Sequence, residues 1–219
     1  MKPLVLFGAT HFGEVIAQLF RDMNDAEEQW DILGFLDDDQ RKWQSTHLDL
    51  PVLGGIDWLG ENAPDETVTA ISIGHPAYRR QVAGRLREVG VRYATGIHPT
   101  VICSPSTRFG EGSLVMAGCV FANRVTTGEH VVVNPGTIVG HHTTIGAFST
   151  INAGVKIAGD VDLGEGTYVG IGASISDKLS IGKGTIIGGG TMVIESVDSF
   201  VTAVGVPAKV IKERENDFD

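Results

Sequence analysis

Residues 133–146 read Val133-Asn134-Pro135-Gly136-Thr137-Ile138-Val139-Gly140-His141-His142-Thr143-Thr144-Ile145-Gly146, and one spacing runs through them. Val133, Val139 and Ile145 stand six residues apart. Extended both ways, the same step meets Ile97, Cys103, Phe109, Val115, Phe121, Thr127, Val133, Val139, Ile145, Ile151, Ile157, Leu163, Val169, Ile175, Ile181, Ile187 and Val193. Sixteen of these seventeen are apolar and no insertion breaks the count. Four residues after each comes a smaller side chain, as at Thr137, Thr143, Ser149, Val155, Val161 and Thr167. A period of six is incompatible with the 3.6 of a helix, and an antiparallel β domain would space its strands irregularly. The pattern is that of a parallel β-helix, in which each face of a triangular coil takes six residues and equivalent residues stack one coil later. Seventeen hexads make about five to six coils. Glycine follows the bulky residue at Gly110, Gly128, Gly140, Gly146, Gly164, Gly170, Gly182 and Gly188, which predicts a turn conformation there that side chains disfavour.

Before residue 97 the rhythm is different. Leu4-Val5-Leu6-Phe7 is a buried-strand run, Gly8 follows, and Val15, Ile16, Leu19, Phe20 and Met23 have helical spacing. Ile32 to Leu36 predicts a second strand ending in Asp37-Asp38-Asp39, and Thr67 to Ile73 a third. Tyr78, Val82, Leu86 and Val89 mark another amphipathic helix, and Arg92 to Ile97 offers a further strand. Repeated βα units imply a small parallel sheet of Rossmann-like kind, with ligands beyond the carboxyl ends of its strands, where Gly8, Asp37 and Gly74 fall. The predicted organisation is therefore a βα domain over 1–96, a β-helix over 97–198 and a tail over 199–219.

The formal net charge of −10 argues against a nucleic-acid partner, since phosphate binding needs a cationic surface. With only Cys103 and Cys119 there is no disulfide framework and no zinc ligand set. Both cysteines fall on inward phases of the hexads and are expected to be buried. No apolar run approaches the roughly 20 residues that cross a bilayer, so a cytoplasmic location without membrane contact is expected. The turn Gly8-Ala9-Thr10-His11-Phe12-Gly13, with Asp37 further on, invites a dinucleotide reading, but Thr10 stands where that fingerprint has its second glycine.

The turn at 8–13, Phe35-Leu36-Asp37-Asp38, Ile73-Gly74, Ile97-His98-Pro99, the run 140–146 and Val204-Gly205-Val206-Pro207-Ala208-Lys209 together resemble one family. It is that of the hexapeptide-repeat, left-handed β-helix acetyltransferases acting on nucleotide-linked 4-amino sugars, with their sialic-acid O-acetyltransferase relatives. The resemblance implies an acetyl-CoA-dependent N-acetyltransferase of bacterial surface-glycan synthesis, a homotrimer with active sites between subunits, and no metal. His141 would be the general base, since a neutral imidazole is basic at physiological pH. His142 stands where the family usually carries a carboxylate that orients this base, and it cannot supply a fixed negative charge. Thr150 replaces a cofactor-contacting histidine. Gly159 would present its amide to the thioester oxygen, Ile171 and Gly189 would lie along the pantetheine arm, and Lys209 would meet the cofactor's phosphates. In the first domain Asp37 and Asp38 would take the nucleoside, Gly74 would allow close backbone approach, and Thr10, His11 and Phe12 would meet the pyrophosphate and sugar. O-acetylation of a sugar hydroxyl, a non-catalytic sugar-binding scaffold, and a hexapeptide carbonic anhydrase remain open as alternatives.

Overall fold

The computed structural model describes residues 1–216 and divides into two units, Met1–Pro99 and Thr100–Asp219. In the first unit β1 (Lys2–Phe7) is followed by α1 (His11–Ala26), β2 (Trp30–Leu36), a short β3 (Thr46–His47), β4 (Leu50–Gly54), α2 (Trp58–Glu61), β5 (Val68–Ile71), α3 (Pro76–Glu88) and β6 (Arg92–Tyr93). The sheet order is β3-β4-β2-β1-β5-β6, parallel except for the β3–β4 pair. Leu4, Val5 and Leu6 are completely buried at its centre. Each such side chain contributes roughly 1.5–3 kcal/mol of apolar burial. The β3–β4 pair was not legible in the sequence, because two residues of strand are too few to show an alternation.

Helix α1 starts where Thr10 accepts a hydrogen bond from the Gly13 amide at 3.1 Å, satisfying one of the helix's orphan donors. Gly13 must lack a side chain, because a Cβ there would run into the Gly8 carbonyl. The buried face of α3 is Arg79, Val82, Ala83 and Leu86. Tyr78 and Val89, expected on the core side, are about half exposed, because Arg79 occupies the inward position. Its guanidinium Nη1 donates to the carbonyls of Ile73 at 2.6 Å and Gly74 at 3.0 Å. Burial pushes this group down to about 9, which leaves it charged at neutral pH.

The second unit is a stack of two-residue strands on three faces, each pairing in parallel with the strand 18 residues on. One face runs Val120–Phe121, Ile138–Val139, Lys156–Ile157, Ser174–Ile175, Met192–Val193. The next runs Thr126–Thr127, Thr144–Ile145, Asp162–Leu163, Ser180–Ile181, and the third Leu114–Val115, Val132–Val133, Thr150–Ile151, Tyr168–Val169, Ile186–Ile187. This is the parallel β-helix expected from the hexads, left-handed as the resemblance implied. The step-of-six residues from Val115 to Val193 are buried, Thr127 among them. The small inward position is often a hydroxyl, and it too is satisfied. Thr107, Ser113, Thr137, Thr143 and Ser149 each donate to the carbonyl fifteen residues later, at 3.1–3.2 Å. Left unpaired, each hydroxyl would cost about 1–3 kcal/mol.

Three expectations need correction. Cys103 is exposed, because it lies in the first turn of the stack with no complete coil packed over it; Cys119 is buried as expected, its thiol pushed up by desolvation. The glycines that follow the bulky residue do not have positive φ. They are required by close approach: a Cβ on Gly140 would come within 2.5 Å of the Ala158 carbonyl oxygen and 2.6 Å of the Gly159 nitrogen. The left-handed conformation falls two residues later, again at every sixth position. There glycine alternates with Arg124, His130, His142, Phe148, Asp160 and Lys178. The segment expected as a tail holds two strands. Val201–Val204 continues the third face by pairing with Ile186–Ile187, and Lys209–Glu213 folds back antiparallel upon it. Residues 217–219 of that tail lie outside the described residues. Among the described residues no helix is long and apolar enough to cross a membrane.

Candidate active site

Because coils repeat every 18 residues, positions 124, 142 and 160 form one stack at a corner, and positions 141 and 159 form the stack beside it. Gly140 allows the chain to turn tightly over the next coil, and the turn lifts His141 and His142 out of the prism. Both are exposed, the His141 side chain to 58%. The His141 ring lies flat over Gly159, where an added Cβ would come within 2.5 Å of Cε1 and 2.6 Å of Nε2. The absence of a side chain at 159 is therefore what gives the imidazole its seat.

On the other side of the ring, His141 Nδ1 lies 3.1 Å from His142 Nδ1, the two rings being nearly perpendicular at 84°. His142 Nε2 in turn faces Arg124 Nη1 at 3.4 Å. The Asp160 carboxylate stands 3.9 Å from His141 Nδ1, and the Asp160 amide donates to the His141 carbonyl at 2.8 Å, which fixes one coil beneath the other. Sequence reasoning found His141 and His142 and missed Arg124 and Asp160. The signal that could have found them is the coil repeat itself, since they lie one coil before and one coil after His142. Among the described residues His141, His142 and Asp160 also form the one group of His, Cys, Asp or Glu compact enough for a cation, their donor atoms within 4.8 Å of one another. All three are exposed, and the two imidazoles already face each other.

Gly159, Ile171 and Gly189 share a property. Their amides donate no hydrogen bond among the described residues, so two corners of the prism carry a free N–H. Ile171 and Gly189 lie one coil apart on the same corner: Ile171 is 67% exposed, and a Cβ on Gly189 would touch its Cγ2 at 3.2 Å. Gly159 lies twelve residues before Ile171, on a different corner, so one chain does not bring the two sets together. Lys209 is exposed, on the strand that pairs with Val204. Thr150 shares the outward phase of Thr144 and Lys156, yet it is only 2% exposed in the single chain.

In the first unit Thr10 and His11 are exposed and Phe12 half-buried at the start of α1, beside Gly8. Gly74 has nothing within 4 Å of a built Cβ and no positive φ, so its backbone faces open space. Asp37 acts within the domain as a clamp. It is 9% exposed, and its carboxylate accepts from the amides of Ala9 and Asp39, each at 2.9 Å, and from Lys42 Nζ at 2.8 Å. Those three donors tie the turn after β1 to the loop after β2. Asp38 remains on the surface, held by a two-pronged pair with Arg85. Asp38 and Arg85 border a cavity of about 460 Å³ also lined by Gln40, Trp43, Trp58 and Asn62.

A βα domain followed by a left-handed β-helix, with an imidazole seated over a glycine at a coil corner, defines an acyltransferase of the β-helix type. The comparisons agree. Residues 3–86 match the PglD N-terminal domain family. The chain superposes on a variant of perosamine N-acetyltransferase from Caulobacter crescentus, in complex with CoA and GDP-perosamine, with a TM-score of 0.88 and 27% identity, covering 97% of this chain and 98% of that one. WeeI from Acinetobacter baumannii AYE gives 0.87 and 28%, over 96% of this chain and all of that one. The acetyltransferase domain of PglB from Neisseria gonorrhoeae, in complex with acetyl coenzyme A, gives 0.74 and 25%, over 96% and 99%. No curated protein matches the chain. The resemblance read from the sequence is thus borne out in fold and in class of enzyme.

Proposed function

We propose that this protein transfers the acetyl group of acetyl-CoA to the amine of a nucleotide-linked amino sugar. The observation that carries this reading is the exposed His141 imidazole resting on Gly159, whose amide donates no hydrogen bond among the described residues. His141 Nε2 takes the proton that the sugar amine loses as its nitrogen bonds to the thioester carbon. His141 then returns that proton to the sulfur as the C–S bond breaks, so the products are an amide and a free thiol. A positioned base of this kind contributes about 10²–10⁴-fold. The Gly159 N–H donates to the carbonyl oxygen while it carries charge, worth roughly 3–4 kcal/mol for a well-aimed donor.

The Ile171–Gly189 corner, apolar and with free amides, suits a pantetheine arm, and Lys209 suits its phosphates. That corner and the His141 corner are separate in one chain, which supports a homotrimer in which each site draws on two copies. In the first domain the amino end of α1 at Thr10 and His11 suits a pyrophosphate. The cavity between Trp43 and Trp58, edged by Gln40, Asn62 and Asp38, suits the nucleobase. Activity of this kind belongs in the cytoplasm. The test is thiol release across a panel of UDP-, GDP- and dTDP-linked amino sugars, with wild type and His141→Ala. One acceptor should turn over and His141→Ala should lose at least 100-fold in kcat; no turnover with any acceptor would refute the reading.

A further inference from the structure

An imidazole can accept a proton at Nε2 only while its own proton sits on Nδ1. In His141 these atoms have distinct surroundings. The ring lies over Gly159 with Nε2 2.6 Å and Nδ1 2.9 Å from a Cβ placed there; Nδ1 also faces His142 and Asp160, whereas Nε2 meets no hydrogen-bonding group among the described residues and is the nitrogen open to an acceptor.

The neighbours decide which nitrogen holds the proton. A guanidinium only donates, so while Arg124 points at His142 Nε2 that nitrogen must accept. A neutral His142 then carries its proton on Nδ1 and directs it at His141 Nδ1, 3.1 Å away. In that arrangement the His141 proton is driven to Nε2 and the base is blocked. His142, held by Arg124, cannot be the group that readies His141. The Asp160 carboxylate can be. It only accepts, it carries the fixed negative charge that an imidazole lacks, and its side chain makes no other contact with a charged or hydrogen-bonding group among the described residues. Its backbone is anchored to the His141 carbonyl, so a side-chain rotation closes the 3.9 Å gap.

We propose that Asp160 is the positioning residue of His141: its carboxylate accepts the Nδ1 proton, leaves the Nε2 lone pair free, and stabilises the imidazolium formed during transfer, while His142 competes for the same nitrogen. This rests on the reading of His141 as the base. The variant Asp160→Asn preserves shape, and Asn tolerates the left-handed backbone at 160, but its amide can donate to Nδ1 and invert the tautomer. It should lower kcat by about 10- to 100-fold, leave KM for acetyl-CoA within about 2-fold, and be partly rescued by Asp160→Glu. Nitrogen-15 spectra of histidine-labelled protein should show His141 protonated at Nδ1 in wild type and shifted toward Nε2 in Asp160→Asn. His142→Ala should increase the Nδ1-protonated fraction. An unchanged His141 tautomer in Asp160→Asn would overturn the proposal, as would a larger kcat loss from His142→Ala than from Asp160→Asn. Should no amino sugar prove to be an acceptor, the proposed function fails, and the spectra still decide the role of Asp160.

Discussion

Replacing Gly159 by alanine separates catalysis from stability with one methyl group. The new Cβ would stand 2.5 Å from His141 Cε1 and 2.6 Å from Nε2, distances no packed pair of heavy atoms sustains. Two responses are open to the chain, and the structure decides between them. Gly159 does not have the left-handed φ that would strain an alanine, and the nearest atoms belong to a side chain that is 58% exposed. The ring therefore swings outward, at little expense in folding free energy, within about 0.5 kcal/mol as for a typical surface substitution. Displaced from its seat, the imidazole loses its aim at the acceptor. Loss of a positioned base costs about 10²–10⁴-fold in kcat, or roughly 3–5 kcal/mol of barrier. The assay is steady-state thiol release under saturating acetyl-CoA and acceptor, beside urea unfolding of the same preparations. Unfolding midpoints should coincide while kcat falls by at least 100-fold. A Gly159→Ala enzyme retaining a third or more of wild-type kcat would refute the claim that the ring's place over residue 159 matters.

Gly140→Ala should behave oppositely to Gly159→Ala in urea unfolding. Its Cβ meets backbone atoms of the next coil, and forcing coils apart costs about 3 kcal/mol or more. Gly136→Ala meets nothing within 4 Å but has φ of 70°, so calorimetry should show a loss of only about 1 kcal/mol. Arg79→Met removes the donor to the carbonyls of Ile73 and Gly74 from a fully buried site; it should lower unfolding free energy by roughly 2–4 kcal/mol and weaken nucleotide-sugar binding by titration calorimetry. A thiol reagent applied to native protein should label Cys103 promptly and Cys119 only after denaturation, by mass spectrometry of the digested product.

Much of the fold was legible because the hexad is a local rule repeated without interruption. Each bulky residue from Val115 to Val193 reports its own burial, and no long-range contact is needed to read it. The strands of the first domain were legible where an apolar run is long, as at Leu4 to Phe7, and illegible at Thr46–His47. The glycines were legible in position but not in cause. Gly140 and Gly136 are each one of a six-residue series, yet one answers to a neighbouring coil and the other to a backbone angle.

The amino-acid sequence by itself determined that a prism of stacked hexads follows a βα domain, and which hexad carries the paired histidines. Tertiary structure alone decided that Thr150 is buried, that Asp37 ties two loops together, and that Arg124 and Asp160 flank the imidazoles. The reason is physical. Periodicity records which way a side chain points relative to its own coil, whereas proton placement depends on which atoms of the coils above and below come within a few ångströms, and on the rotamers that bring them there.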